Sequence, residues 1–87
     1  MADEEKRFSK SIIGKTIVSK TGKKFGEVSD VIFETKTGEL IQMVVSNPTP
    51  YATRLELEKD KEGRILIPFS SVIASGDFMV IAEEDLI

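Results

Sequence analysis

Three groups of side chains carry charge at spacings that chemistry uses. Carboxylates recur at Glu56, Glu58, Asp60 and Glu62, and again at Glu83, Glu84 and Asp85. Clustered carboxylates are the raw material of acid–base catalysis and of calcium loops. Lys20, Lys23 and Lys24 fall in one turn and offer an anion or an acidic lipid surface a set of ammonium groups. Asp30 stands alone among apolar neighbours.

Each group has a plainer reading. Alternation puts Glu56 and Glu58 on the wet face of a strand, and Asp60-Lys61-Glu62-Gly63 is too short for a calcium loop. No aromatic residues interleave the lysines for base stacking, so the triplet reads as a solvated hairpin tip. Thr21-Gly22-Lys23 lacks the glycine-rich run of a phosphate loop. Asp30 fits a hydrogen-bond acceptor for turn backbone. The chain has no cysteine and no histidine. Thiol nucleophiles, imidazole bases and zinc sites with nitrogen or sulfur ligands are therefore excluded, and Asp30 has no evident proton-transfer partner. We read no catalytic residue, no metal site, no cofactor and no small-molecule substrate.

Length and charge narrow the class further. Eighty-seven residues make one small domain, which buries only about 60–65% of its unfolded surface. Without disulfides or metal, such a thin core depends on regular β-packing or on another subunit. No stretch approaches the roughly 18–20 apolar residues of a membrane span, and the charged start at Asp3 is unlike a signal peptide. A soluble, cytoplasmic protein is expected. Net charge is −3 but uneven: residues 1–24 carry +4 and residues 25–87 carry −7. An acidic body argues against nucleic acid as the main partner.

The elements that position these residues are strands. Gly22 and Gly26 bracket a first tight turn, and Thr37-Gly38 closes a second, where glycine accepts positive φ. The residues between are β-branched and aromatic, as a pleated surface prefers. We expect strands over Lys15–Ser19, Gly26–Thr35, Glu39–Ser46, Thr53–Lys59, Arg64–Pro68 and Asp77–Ala82, with Ile17 and Ile13 pointing inward. Asn47 to Tyr51 reads as a crossing loop, because proline lacks the ladder donor. Pro68 ends a strand or marks an edge, and Phe69–Ile73 suits one serine-capped helical turn. Residues 1–10 read as a flexible segment around Phe8. Residues 11–82 form the domain, and 83–87 an acidic tail whose apolar tip is disordered or docks on a neighbour.

The order of Ile13-Gly14-Lys15, Gly26-Glu27-Val28, Asp30-Val31-Ile32-Phe33, Thr37-Gly38-Glu39-Leu40, Val44-Val45 and Ile67-Pro68-Phe69-Ser70-Ser71-Val72 resembles the PRC-barrel family over about Ser11 to Ala82. The resemblance implies an all-β fold, a small, strongly bent, six-stranded antiparallel barrel with at most one short helical turn. It also implies a protein-interaction module. The chain lacks the transmembrane helix of the reaction-centre member and the extra domain of the ribosome-maturation member. It looks most like small stand-alone archaeal forms, some associated with cell division through SepF, the membrane-linked adaptor that positions FtsZ. SepF is thus an implied partner, and recruitment to the division site an implied location. The alternative is a ribosome- or RNA-processing-associated factor using the lysine turn.

One feature of the strands points the same way. Ile41, Met43 and Val45 share one face, yet the opposite face, with Leu40, Gln42 and Val44, is also largely apolar, and Ile32 extends it. Another copy, a partner protein, or the chain's own loop around Tyr51 and its N-terminal segment must cover it. Ile32, Leu40, Gln42, Val44 and Tyr51 are accordingly the expected dimer or partner surface. Gly22, Gly26, Asp30, Gly38 and Pro68 are expected to shape the turns. The function expected is a non-enzymatic, homodimeric adaptor.

Overall fold

The structure, a computed structural model, describes residues 10–86; residues 1–9 of the expected flexible segment, Phe8 among them, and Ile87 lie outside them, while Lys10 is helical. Six strands form one sheet: β1 (Thr16–Ser19), β2 (Lys24–Phe33), β3 (Leu40–Ser46), β4 (Leu66–Pro68), β5 (Val72–Ser75) and β6 (Phe78–Ile81). Their spatial order is β4-β3-β2-β1-β6-β5. The sheet bends into a barrel without closing its ladder. Its two end strands, β4 and β5, are joined directly by the 3-10 turn Phe69–Ser71. Every pairing is antiparallel except β1 with β6, which is parallel, so the expected all-antiparallel ladder needs that correction.

Five of the expected strands lie close to where sequence put them; Thr53–Lys59 does not. Thr49 caps a short helix, α1 (Pro50–Arg54): its side chain accepts the Ala52 N–H at 3.2 Å, and Pro50 occupies the first turn. A threonine cap followed by proline is a helix start, and that signal outweighs the alternation downstream. The chain leaves α1 through Glu56, whose φ of 54° is left-handed. Leu57 is buried and Leu55 half-buried, so the apolar positions do turn inward, but from a helix end. Only Lys59 makes a bridge, to Ile65. The missing sixth strand is β5, in the segment expected to be helical, whose helical part is only Phe69–Ser71 and has no side-chain cap.

The core gathers Ile12, Ile17, Phe25, Val28, Met43, Ile67, Met79 and Ile81, all at most 1% exposed. Each such side chain contributes about 1.5–3 kcal/mol by leaving water. Helical backbone at residues 10–12 turns Ile12 inward and leaves Ile13 at 44% exposure, the reverse of the expected orientation. The only buried polar side chains among the described residues are satisfied. Ser19 Oγ accepts the Lys23 N–H at 3.0 Å, and Ser71 Oγ donates to Pro68 O at 2.7 Å. Glu83–Leu86, expected as a tail, folds as a second 3-10 turn with Leu86 against the core.

Register shifts decide which side chains reach that core. Between the pairs Ile32↔Gln42 and Phe33↔Leu40, Ile41 is the extra residue; between Val28↔Val45 and Asp30↔Val44, it is Ser29. One inserted residue flips every side chain beyond it. Leu40 therefore joins Met43 and Val45 in the core, while Ile41, expected to share their face, is 41% exposed.

Gly26 marks the tightest point. Its φ is +150°, and a Cβ there would lie 2.6 Å from Val45 Cγ1 and 2.8 Å from Ser46 O. Gly22, at φ +93°, has open space around it. Replacing Gly22 by Ala is expected to cost only the left-handed backbone penalty, about 1–2 kcal/mol. Gly26→Ala adds the clash and should cost about 2–4 kcal/mol in all. Urea denaturation of the two variants tests this ranking, and equal losses would contradict the steric assignment.

Candidate protein-interaction surface

The residues expected to form a contact surface do not come together as one. Leu40 is 9% exposed and belongs to the core. Val44 lies on the other face of β3, opposite Asp30 and Leu66, and is 2% exposed. A single chain covers both, which overturns the idea that this face waits for another molecule. Ile32 and Gln42 are half-buried, and Gln42 Nε2 donates to Glu58 Oε1 at 3.2 Å.

Tyr51 is an internal fastener. Its ring meets Phe25 edge-on with centroids 5.6 Å apart, an orientation the ring quadrupoles favour. Lys23 Nζ sits over the same ring at 5.6 Å. The hydroxyl donates to the Glu83 carboxylate, and that bond pushes the phenol's pKa up. α1 is thereby tied to the core, to the lysine turn and to the C-terminal turn. Lys20 of that turn pairs with Glu84, each holding the other's charged form: the lysine is pushed up and the carboxylate down.

Of the residues expected to shape the turns, Gly22 and Gly38 lie between strands, while Gly26 and Asp30 lie within β2. Gly22, Gly26 and Gly38 all have positive φ. Asp30 is exposed and accepts the Val31 N–H at 2.8 Å, a local backbone bond. Pro68 closes β4 at the end of the sheet.

A different apolar surface emerges on the opposite side of the barrel. Strand β6 alternates cleanly: Met79 and Ile81 are buried, while Phe78 is 53% exposed and Val80 half-buried. In the parallel register Phe78 stands beside Thr16 and Val80 beside Val18; Ala74 pairs with Val80 from β5. Opposed residues share a face. Thr16, Val18, Phe78, Val80 and Ala74 therefore form one outward, uncharged strip, bordered on β2 by Glu27 and Lys24. Ile73, the extra residue at the β5 bulge, borders it at 55% exposure. Exposed large apolar side chains grouped on one face are a mark of interaction sites. Sequence reading passed over this strip because Val72-Ile73 resembled a helical turn. The alternation of Phe78 to Ile81 was its one available signal.

A fold of this kind, a bent six-stranded sheet with a 3-10 turn between its end strands, defines a class of small β-barrel. A sequence model of the PRC-barrel domain matches residues 4–86, and the chain belongs to that family, whose members are small, non-catalytic interaction modules. The uncharacterized protein MJ1118 of the archaeon Methanocaldococcus jannaschii is 32% identical over 83 residues, covering 94% of this chain and 88% of its own. Among the described residues, no helix is long and apolar enough to cross a membrane.

The carboxylate cluster at the β3–β4 end is structural in its geometry. Asp60 Oδ1 accepts the backbone N–H groups of Arg64 at 2.8 Å and Glu62 at 3.0 Å, and Oδ2 accepts Arg64 Nε at 2.7 Å. The Arg64 backbone bond leads in holding this carboxyl below its usual range. A folded pKa below the unfolded one stabilises the fold above the ordinary Asp value of 3.8, and the gain disappears as pH falls through the depressed value. Glu84 adds in the same direction. Asp60→Asn should therefore lose less stability than the parent between about pH 5 and pH 2. Denaturation midpoints across that range check this; parallel curves would contradict it.

Proposed function

We propose that the protein is a non-enzymatic adaptor that associates with itself as a homodimer and links other proteins. The observation that carries this reading is the uncharged strip on β1, β6 and β5. There Phe78 and Ile73 stay more than half exposed, ahead of Ile13 and Ile41 among the described large apolar side chains. Membership in a family of interaction modules supports it. The similarity to an archaeal protein supports placing it among the small archaeal forms. The resemblance to cell-division-associated members makes SepF the first partner to try and the division site the location to examine.

Light scattering coupled to size-exclusion chromatography tests the dimer. We expect twice the 9.7 kDa chain mass at high micromolar concentration. The double substitution Ile73→Ser, Phe78→Ser should weaken self-association by about tenfold or more, because exposed apolar anchors dominate interface energy. Its circular dichroism should be unchanged. A strict monomer would refute the homodimer. Enrichment of SepF in a pull-down with the tagged protein is expected for the division role, and its absence would confine the reading to a general adaptor.

A further inference from the structure

The two ends of the sheet are treated differently. At β4, the neighbouring segment occupies the outer edge: Leu66 N–H donates to Glu58 O at 2.8 Å, and Lys59 bridges Ile65. Proline ends that strand at Pro68. At β5, among the described residues, no strand lies outside Val72-Ile73-Ala74-Ser75. Ile73, Ala74 and Ser75 are all exposed. Natural edges are usually guarded by charge, proline, a bulge or a covering segment; this one is short and bulged at Ile73, but has neither charge nor proline in its sequence.

We infer that β5 is the dimer seam: it pairs antiparallel with β5 of a second copy, continuing the sheet across a twofold axis. This rests on the homodimer reading and names where it happens. Several observations select a second copy as the occupant. An open strand edge presents backbone donors and acceptors that only another strand satisfies in register. Antiparallel pairing is its own mate under a twofold, the commonest oligomer symmetry.

Charge makes the choice sharper. Two copies of a protein with net charge −3 repel one another modestly overall. A strand of Val, Ile, Ala and Ser brings no like charges together across the axis. A standard interface covers about 800 Å² per partner. Four residues of strand do not supply that alone. Ile73 at the bulge and Phe78, whose carbonyl accepts the Gly76 N–H at 3.1 Å, flank the edge and add apolar area.

The absence of cysteine provides a clean test. A twofold axis perpendicular to the sheet sets one residue of β5 opposite its own mate, with Cα atoms about 4.5–5.5 Å apart, within disulfide reach. Single variants Ile73→Cys, Ala74→Cys and Ser75→Cys are oxidised mildly, with Lys36→Cys at the distant β2–β3 turn as control. One of the three should crosslink nearly completely at micromolar concentration, and the control should not. Ala74→Lys, which puts like charges at the seam, should weaken the dimer by about tenfold or more with unchanged circular dichroism. If the parent protein is dimeric but none of the three crosslinks and Ala74→Lys leaves the dimer intact, the seam lies elsewhere: this inference falls and the adaptor reading survives. If the parent is monomeric, both the seam and the homodimer fall together.

Discussion

The structure turns on the two-residue period of a β-strand and on the few places where one residue breaks it. Every side chain beyond a bulge changes sides, so a single extra residue redistributes a whole face between core and solvent. The extra residues Phe25, Ser29, Ile41 and Ile73 punctuate three of the six strands. Ile41 sends Leu40 into the core and itself outward. With Ser29 between them, Val28 faces the core opposite Val45 while Asp30 and Val44 meet on the outer face. The bulges also let a long strand such as β2 serve two neighbours at a sharp bend. A small chain thereby wraps a core with few residues to spare.

Around this frame, polar contacts fix the non-sheet pieces. Tyr51 reaches Phe25, Lys23 and Glu83 from one half-buried side chain, and so couples α1 to the first turn and to the C-terminal turn. Asp60 organises the turn before β4 by accepting three bonds from Glu62 and Arg64. These interactions involve charged or ionisable groups, yet each is directed at a neighbouring backbone or side chain. Their geometry holds the barrel's loops in place.

Function in such a module resides in surface shape. Among the described residues, the chain's own Glu58–Lys59 segment lies along the β4 edge, whereas no strand lies outside β5. That asymmetry gives the barrel a polarity: one edge paired with the chain's own segment, the other bare of strand among the described residues. It fits a family whose members act through protein contacts.

The sequence by itself determined the class of fold, five of the six strands and the main turns. Glycines at Gly22, Gly26 and Gly38 and the apolar runs of β2 and β3 are local signals read within a few residues. The family resemblance was likewise legible, because it rests on the order of such signals. Sequence misplaced Thr53–Lys59 because alternation of apolar residues does not distinguish a strand from a helix end followed by a left-handed residue such as Glu56. Tertiary structure alone decided which apolar face is exposed. Leu40 and Val44 look as greasy in the sequence as Phe78 and Ile73. Bulge positions, the parallel partnership of β1 with β6, and the covering of one edge but not the other are long-range outcomes. They depend on where strands distant in the chain come to rest, which no local pattern of residues encodes.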